Sequence, residues 1–388
     1  MLEQRRLKRI ISIIESYDGE IPLQHFLRNY FRQHREMGSS DRKIATQSIY
    51  DWFRIGKALS GLKNEERLAV AAFLCGNNND LSLYLLDNFT KFKRNSLDHP
   101  LANKISIVQS EYPEFKIEDI FPFTEFLSKN LHADQFVLSI LQQPYVWLRA
   151  KEKELLLDAL NKNKITYIEK ENAIGIIKPI SLAGIPGLNE EWYEVQDLNS
   201  HRTGEYFQPE SGEYWYDCCA ASGGKSLLLF SLMNDISLAV SDNRESILQN
   251  LKERFRRNNL KKFNRVIADL EKELPQELNE NSFDGIIADV PCSGSGTWSR
   301  SPEQISYFNT ESIMSITARQ KKIIEHVIPL LKKGKPFIYI TCSVFKAENE
   351  EMVDWIAETF SFKIEKSALL QGSAFHADTI FVARLIKQ

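Results

Sequence analysis

The sequence predicts an α/β protein: a doubly wound parallel sheet in the C-terminal half, preceded by an all-helical domain. Two observations carry this. From Glu213 onward short apolar β-type runs alternate with helical patterns. Between Leu2 and Leu131, by contrast, apolar residues recur at helical spacing with few strand-like alternations.

The chain has 388 residues, and at roughly 150 residues per domain this predicts about two and a half domains. Apolar residues make up 43% and charged residues 26%, the balance of a folded globular protein; a disordered chain or low-complexity scaffold is excluded. The longest apolar stretches fall short of the roughly 18 residues of a membrane span. The basic opening of Arg5, Arg6, Lys8 and Arg9 is followed by an apolar run, Ile10 to Ile14, too short for a signal peptide. A cytoplasmic protein is expected. Its five cysteines, Cys75, Cys218, Cys219, Cys292 and Cys342, contain no CxxC pair, which argues against a disulfide framework and against a bound metal. The net charge of −3 requires any grip on an anionic polymer to come from local patches.

The elements follow in order. Leu7, Ile10, Ile11 and Ile14, then Leu68, Ala71, Ala72 and Cys75, mark helices of the first domain, assigned to residues 1–135. Its first half is basic (Arg28, Arg32, Arg35, Arg42, Lys43, Arg54, Lys57) with Tyr30, Phe31, Tyr50, Trp52 and Phe53 interleaved. That mixture suits phosphate contacts and base stacking, but solvated helix faces commonly look the same. A small α/β subdomain is expected over 140–210, from strand-like runs at Val146–Arg149, Ile165–Glu169 and Gly175–Lys178 around a helix from Glu152 to Asn161. The third domain, 211–388, carries strands at Tyr214–Asp217, Leu238–Ser241, Asn264–Ala268, Gly285–Ala288 and Phe337–Thr341, with Thr379–Leu385 expected at an edge.

In a doubly wound sheet ligands sit outside the carboxyl ends of the strands. After the first strand comes Asp217-Cys218-Cys219-Ala220-Ala221-Ser222-Gly223-Gly224-Lys225-Ser226, a small-residue turn that opens a helix and admits a ligand close to backbone. Gly224-Lys225-Ser226 resembles the tail of a Walker A loop, but Cys219 stands where that loop requires glycine. The second strand ends in Asp242, about 20 residues on, the spacing of a carboxylate that holds ribose hydroxyls. The third ends in Asp269. The fourth runs into Asp289-Val290-Pro291-Cys292-Ser293-Gly294-Ser295-Gly296, and the fifth into Thr341-Cys342-Ser343. Free cysteines are usually buried and inert; two at neighbouring strand ends beside Asp289 point to catalysis.

These segments, with Arg300-Ser301-Pro302-Glu303 and Glu348-Asn349-Glu350, resemble the Sun/Fmu-type RNA 5-methylcytosine methyltransferases. Val195-Gln196-Asp197 is similar to the segment before their catalytic core. Ser222 stands where the family has proline and Ser226 where it has threonine. The resemblance implies a class I (Rossmann-like) methyltransferase domain with a small α/β RNA-recognition subdomain and an all-α NusB-like RNA-binding N-terminal domain. It implies S-adenosylmethionine as cofactor, bound by Cys219, Ala220, Ala221, Ser222, Gly223, Gly224 and Lys225, with Asp242 on the ribose, Asp269 near adenine and Asp289 at the reacting centre. It further implies Cys342 as nucleophile and Cys292 as the thiol that helps release product.

Carbon 5 of cytosine is too weak a nucleophile to take a methyl group directly, so a thiolate must first add to carbon 6. Asp289 suits the role of hydrogen-bonding N3 as charge develops. The base must be unstacked, which favours single-stranded or loop RNA, with Arg300 on its backbone. The expected enzyme methylates RNA, small-subunit ribosomal RNA or an assembling small subunit, as a monomer. The alternatives are a non-catalytic RNA-binding or ribosome-assembly factor that keeps the cofactor pocket, and a nucleotide hydrolase. The densest basic run, 252–265 (Lys252, Arg254, Arg256, Arg257, Lys261, Lys262, Arg265), reads equally as an RNA contact or a solvated helix face.

Overall fold

The computed structural model describes residues 2–178 and 180–388. The chain forms two compact units. The first runs to Glu125 and takes in His132–Gln143 and Trp298–Asn309; the second comprises Phe126–Leu131, Pro144–Thr297 and Thr310–Gln388.

The first unit is helical. It holds α1 (Leu2–Ser16), α2 (Leu23–Gln33), α3 (Ser39–Arg54), α4 (Asn64–Leu74), α5 (Asp80–Phe89), α6 (Leu101–Glu111) and α7 (Ala133–Ile140). Helix α1 buries Leu7, Ile10, Ile13 and Ile14 on one stripe, whereas α4 is buried at every position from Arg67 to Leu74, as a helix apolar on all sides must be. The aromatic residues interleaved with basic ones are largely spent on this core. Phe53 is buried, Tyr30, Phe31, Tyr50 and Trp52 pack against the cluster, and the Arg67 guanidinium lies 4.1 Å from the Trp52 ring centre. Arg54 is also internal: it donates to the carbonyls of Ile140, Gln142 and Ser299 at 2.7–3.0 Å. Residues 298–309 thus belong to this unit although the sequence reading assigns them to the third domain. Trp298 packs on Phe121, Phe123 and Phe308, and Tyr307 donates its hydroxyl to the Tyr17 carbonyl.

The second unit carries two sheets. In the smaller, β1 (Val146–Ala150), β2 (Tyr167–Lys170), β3 (Ala173–Ile176) and β4 (Tyr193–Val195) lie in the antiparallel order β2-β3-β1-β4, with α8 (Lys153–Lys162). Strand β4, only three residues long, gives no readable periodicity. A short helix, α9 (Leu198–Arg202), leads into the larger sheet.

That sheet contains β5 (Tyr214–Asp217), β6 (Ser237–Asp242), β7 (Asn264–Ile267), β8 (Gly285–Asp289), β9 (Pro336–Thr341), β10 (Phe362–Leu370) and β11 (Ile380–Lys387) in the order β10-β11-β9-β8-β5-β6-β7. Strands β5 to β9 are parallel; β11 runs antiparallel to β9 and β10 antiparallel to β11. Helices α10 (Gly224–Leu232), α11 (Glu245–Arg257), α13 (Ser312–Val327) and α14 (Glu350–Phe360) cover the faces, and α12 (Glu303–Tyr307) lies in the helical unit. Successive residues of each strand face opposite ways. Trp215, Ile287 and Ile338 join one core cluster with α10 and α11, and Tyr216, Ile286 and Tyr339 the other with α13 and α14.

Two features correct the sequence reading. The terminal strand β11 is second from the edge, and β10, which the sequence reading did not place, closes the sheet. Ile380–Leu385 is buried throughout, and the one charge in this stretch, Arg384, is satisfied inside by the carbonyls of Tyr206 and Phe207. An alternation of apolar residues with a single arginine therefore reads as half-exposed only until the partners of that arginine are known.

Gly285 sits opposite Trp215 in the β5/β8 register, and a methyl group there would lie 2.5 Å from the indole. Gly285→Ala is expected to cost about 1–3 kcal/mol through overpacking. A thermal melt of the full chain checks this, and a melting temperature equal to that of the wild type would contradict it.

Candidate active site

The sheet order reverses direction between β5 and β8: from β5 the chain moves outward to β6 and β7, and from β8 to β9 on the other side. The loops leaving these two strands part company, and this is where an open parallel sheet leaves a crevice. The turn after β5 is fixed to both neighbouring strands, with Cys218 N–H on the Ile287 carbonyl and Ala220 N–H on that of Ser241. It bends through Ala221 (φ +46°) and Gly223 (φ +83°). At Gly223 a Cβ would stand 2.4 Å from the Phe255 ring, so glycine meets both the left-handed backbone and the close approach.

Acids end the strands. Asp242 accepts from the backbone N–H of Ala221 at 3.1 Å and of Arg244 at 3.0 Å, and from the Arg244 guanidinium. Burial opposes its ionisation, but these donors outweigh it and hold the carboxyl below its usual pKa. Asp269, two residues beyond β7, is held low chiefly by the Lys272 ammonium at 2.9 Å. Asp289 closes β8 and accepts from Lys225 Nζ at 2.9 Å; the same ammonium donates to Ser200 Oγ at 3.0 Å. Burial alone would lower the Lys225 pKa, yet Asp289 and the nearby Cys342 and Asp217 raise it above the ordinary lysine value. Asp217, fully buried at the end of β5, accepts from Ser226 Oγ at 2.6 Å, and its other oxygen has no partner among the described residues. Burial, reinforced by Asp289 and opposed by Ser226 and Lys225, pushes this carboxyl up to about 7.

The sulfurs of Cys292 and Cys342 lie 3.2 Å apart. Cys342 follows β9 directly, and Cys292 sits in the loop after β8. That neighbouring thiol, burial and the Glu348 charge push the Cys292 pKa well up. The loop containing Cys292 is bound to the β9 end along its length: Gly296 N–H donates to the Cys342 carbonyl at 2.9 Å and Val344 N–H to Ser295 Oγ at 2.9 Å.

A cavity of about 480 Å³ joins these groups, lined by Cys218, Cys219, Ala221, Asp242, Asp269, Asp289, Cys292 and Cys342 together with Arg244, Glu271, Arg319 and Ile323. Its size lies within the roughly 300–1,000 Å³ of small-molecule sites. Its chemistry suits a nucleoside-bearing cation, with carboxylates at three strand ends and apolar Val290, Pro291 and Ile323 between them. Ala220, Ser222, Gly223 and Gly224 make the turn without lining the cavity, and Lys225 reaches Asp289. Arg300 is exposed and belongs to the helical unit. In the basic run, Arg254 pairs with Glu194, Arg256 with Glu253 and Arg257 with Glu190, so these charges are matched locally.

Several contributors escaped the sequence reading. Ser200 contacts Lys225 and Arg244 contacts Asp242, but nothing in their spacing reveals it. Glu271 and Arg319 pair at 2.6 Å across 48 residues of sequence. Among the described residues no helix is long and apolar enough to cross a membrane, and no group of three or more His, Cys, Asp or Glu is arranged to hold a metal.

An open sheet of this order, with a reversed terminal hairpin and acids closing β5, β6 and β8, has the Rossmann-like fold of class I methyltransferases. Residues 205–377 match the sequence model of the family described as 16S rRNA methyltransferase RsmB/F. Over this region the chain is similar to that family. Ribosomal RNA small subunit methyltransferase B of Proteus mirabilis is 30% identical over 220 residues, 55% of this chain and 51% of that protein. The Vibrio vulnificus counterpart is 28% identical over 271 residues, 64% of this chain and 63% of its own. The chain thus spans about half to two thirds of the curated relatives it matches. Among solved structures, PH0851 aligns with a TM-score of 0.73 at 21% identity over 98% of both chains. NSun6 from Pyrococcus horikoshii with SFG aligns at 0.58 and 16% identity, over 67% of this chain and 96% of its own.

The raised Asp217 pKa has a stability consequence. A carboxyl near 7 in the folded chain and near 3.9 unfolded contributes fully below pH of about 4, and its contribution is lost as pH rises through 7. Buried Asp51 in the helical unit, also near 7, adds a loss of the same sign. Asp217→Asn is expected to remove its share, so that the variant gains on the wild type by up to about 1.4 kcal/mol per pH unit across that window. Melting temperatures at pH 5 and 8 measure the gain; equal pH slopes for the two proteins would refute it.

Proposed function

We propose that this protein transfers a methyl group from S-adenosylmethionine to carbon 5 of a cytosine in RNA, with small-subunit ribosomal RNA as the substrate. The observation that carries the reading is the pair of sulfurs 3.2 Å apart in a cavity that also exposes Asp289. A nucleotide hydrolase needs neither thiol, and a binding-only factor has no use for two of them beside an acid.

The loop from Cys219 to Lys225 would hold the cofactor, with Asp242 on its ribose hydroxyls and Asp269 on its adenine side. When bound, that group supplies an electrophilic methyl. Cys342 adds as thiolate to carbon 6 of the ring, which makes carbon 5 electron-rich. Asp289, about one third exposed and contacted by Lys225 at 2.9 Å, is assigned to hydrogen-bond N3 of the ring, where charge develops. Once carbon 5 carries the methyl group its proton leaves to base and the bond from carbon 6 to Cys342 breaks. Cys292, held as a thiol against that sulfur, is assigned to this release. Arg300 is the candidate for an RNA phosphate, and the helical unit for further RNA contacts. The setting proposed is the cytoplasm, with the enzyme working as a monomer on RNA or an assembling small subunit.

Cys342→Ala is expected to abolish transfer of labelled methyl groups to RNA. Cys292→Ala is expected to leave a protein–RNA adduct that accumulates and survives denaturing electrophoresis. The reverse pattern would make Cys292 the nucleophile, and full activity in both variants would end the reading. Bisulfite mapping of RNA from cells lacking the protein identifies the cytosine.

A further inference from the structure

We propose that Glu348 is a positioning residue whose carboxylate ties together the two cysteine-bearing loops and so sets the approach of Cys292 to Cys342. The inference rests on the methyltransferase reading for its functional meaning and on hydrogen bonding for its geometry.

Glu348 is fully buried. One of its oxygens accepts from Ser343 Oγ at 2.6 Å, and the other from the backbone N–H of Ser293 at 2.8 Å and from Gln320 Nε2 at 3.3 Å. Ser343 is the residue after Cys342 and Ser293 the residue after Cys292, so each carboxylate oxygen holds the immediate neighbour of one sulfur. The Glu348 carbonyl is fixed in turn by the Tyr339 hydroxyl at 2.7 Å. The next residue, Asn349, donates to the Ser343 carbonyl and to Ser128 Oγ, both at 2.9 Å. The support therefore comes from β9, α13 and both loops.

Among the described residues Glu348 makes no ion pair. An unpaired buried carboxylate costs several kcal/mol, and neutral hydrogen-bonding groups could join two loops without that cost. The charge is used here on the sulfurs: the Cys342 thiol and burial do most to keep Cys292 a thiol, the form its assigned role in product release requires, and the Glu348 charge adds to them. Residues 348 and 342 are six positions apart, but Ser293 is 55 positions from Glu348, and no sequence pattern announces that bond.

The test uses the full chain carrying Glu348→Gln, which keeps the shape and removes the charge, and Glu348→Asp, which keeps the charge. Alkylation of Cys292 and Cys342 by iodoacetamide from pH 6 to 10, without RNA or cofactor, is followed peptide by peptide by mass spectrometry. In the Gln variant the Cys292 profile is expected to move down by about one pH unit, a tenfold gain in reactivity at fixed pH. The Asp variant is expected to keep the wild-type profile. Methyl transfer by the Gln variant should lose about tenfold in kcat with the KM for S-adenosylmethionine within about twofold. A folded Gln variant with wild-type alkylation profiles overturns the proposal. Should that variant fail to fold, Ser343→Ala, which removes one arm of the bridge and keeps the charge, is expected to lower kcat for methyl transfer several-fold at unchanged KM, and an unaltered kcat there also overturns the proposal. A shifted profile in a protein whose wild type methylates no RNA keeps the bridge and removes the proposed function instead.

Discussion

Two adjacent parallel strands, β5 and β8, hand the chain on in opposite directions, and the gap this leaves at their carboxyl ends is the constraint on which the site depends. A parallel strand must be re-entered from the far end by a crossover, so its carboxyl end always opens into a loop. Where crossovers on the two sides diverge, no helix can cover those loops. The small residues Ala220 to Gly224 keep the backbone low on one side of this opening. On the other side the Cys292 loop folds back onto the end of β9. Every acid and thiol of interest lies on this edge because the strands end there, and the intervening apolar residues are consumed by the two faces of the sheet.

The same edge concentrates charge that the rest of the molecule avoids burying. Lys225 and Asp289 form an ion pair across the turn, Asp242 is saturated by donors, and Glu348 is held by neutral ones. Asp217 keeps a buried oxygen that has no partner among the described residues, and it resolves the conflict by holding a proton to near neutrality. Such networks are costly unless nearly every member is satisfied. Here the long-range bonds do the satisfying: Ser200 to Lys225, Ser293 to Glu348, Ala221 to Asp242.

Arginines illustrate a second economy. Arg54, Arg67 and Arg384 are buried with backbone carbonyls as partners, and Arg254, Arg256 and Arg257 are matched by nearby glutamates. Counting basic residues along the chain therefore overstates the positive surface on offer to an anionic partner. The interleaved aromatics of the first 60 residues mislead in the same direction, since they fill the core between helices.

By itself the sequence determined the class of the fold, the five parallel strands to within a residue or two, and the residues that close them. Each rests on local periodicity or on the chemistry of a short motif, and a strand buried on both faces announces itself by composition. Tertiary structure alone decided that β11 lies inside the sheet beside β10, that residues 298–309 join the helical unit, and that one carboxylate spans both cysteine loops. These outcomes hang on the partners a residue finds tens of positions away. A buried arginine or glutamate carries the same letter as an exposed one, and only the hydrogen bonds that replace its water tell the two apart.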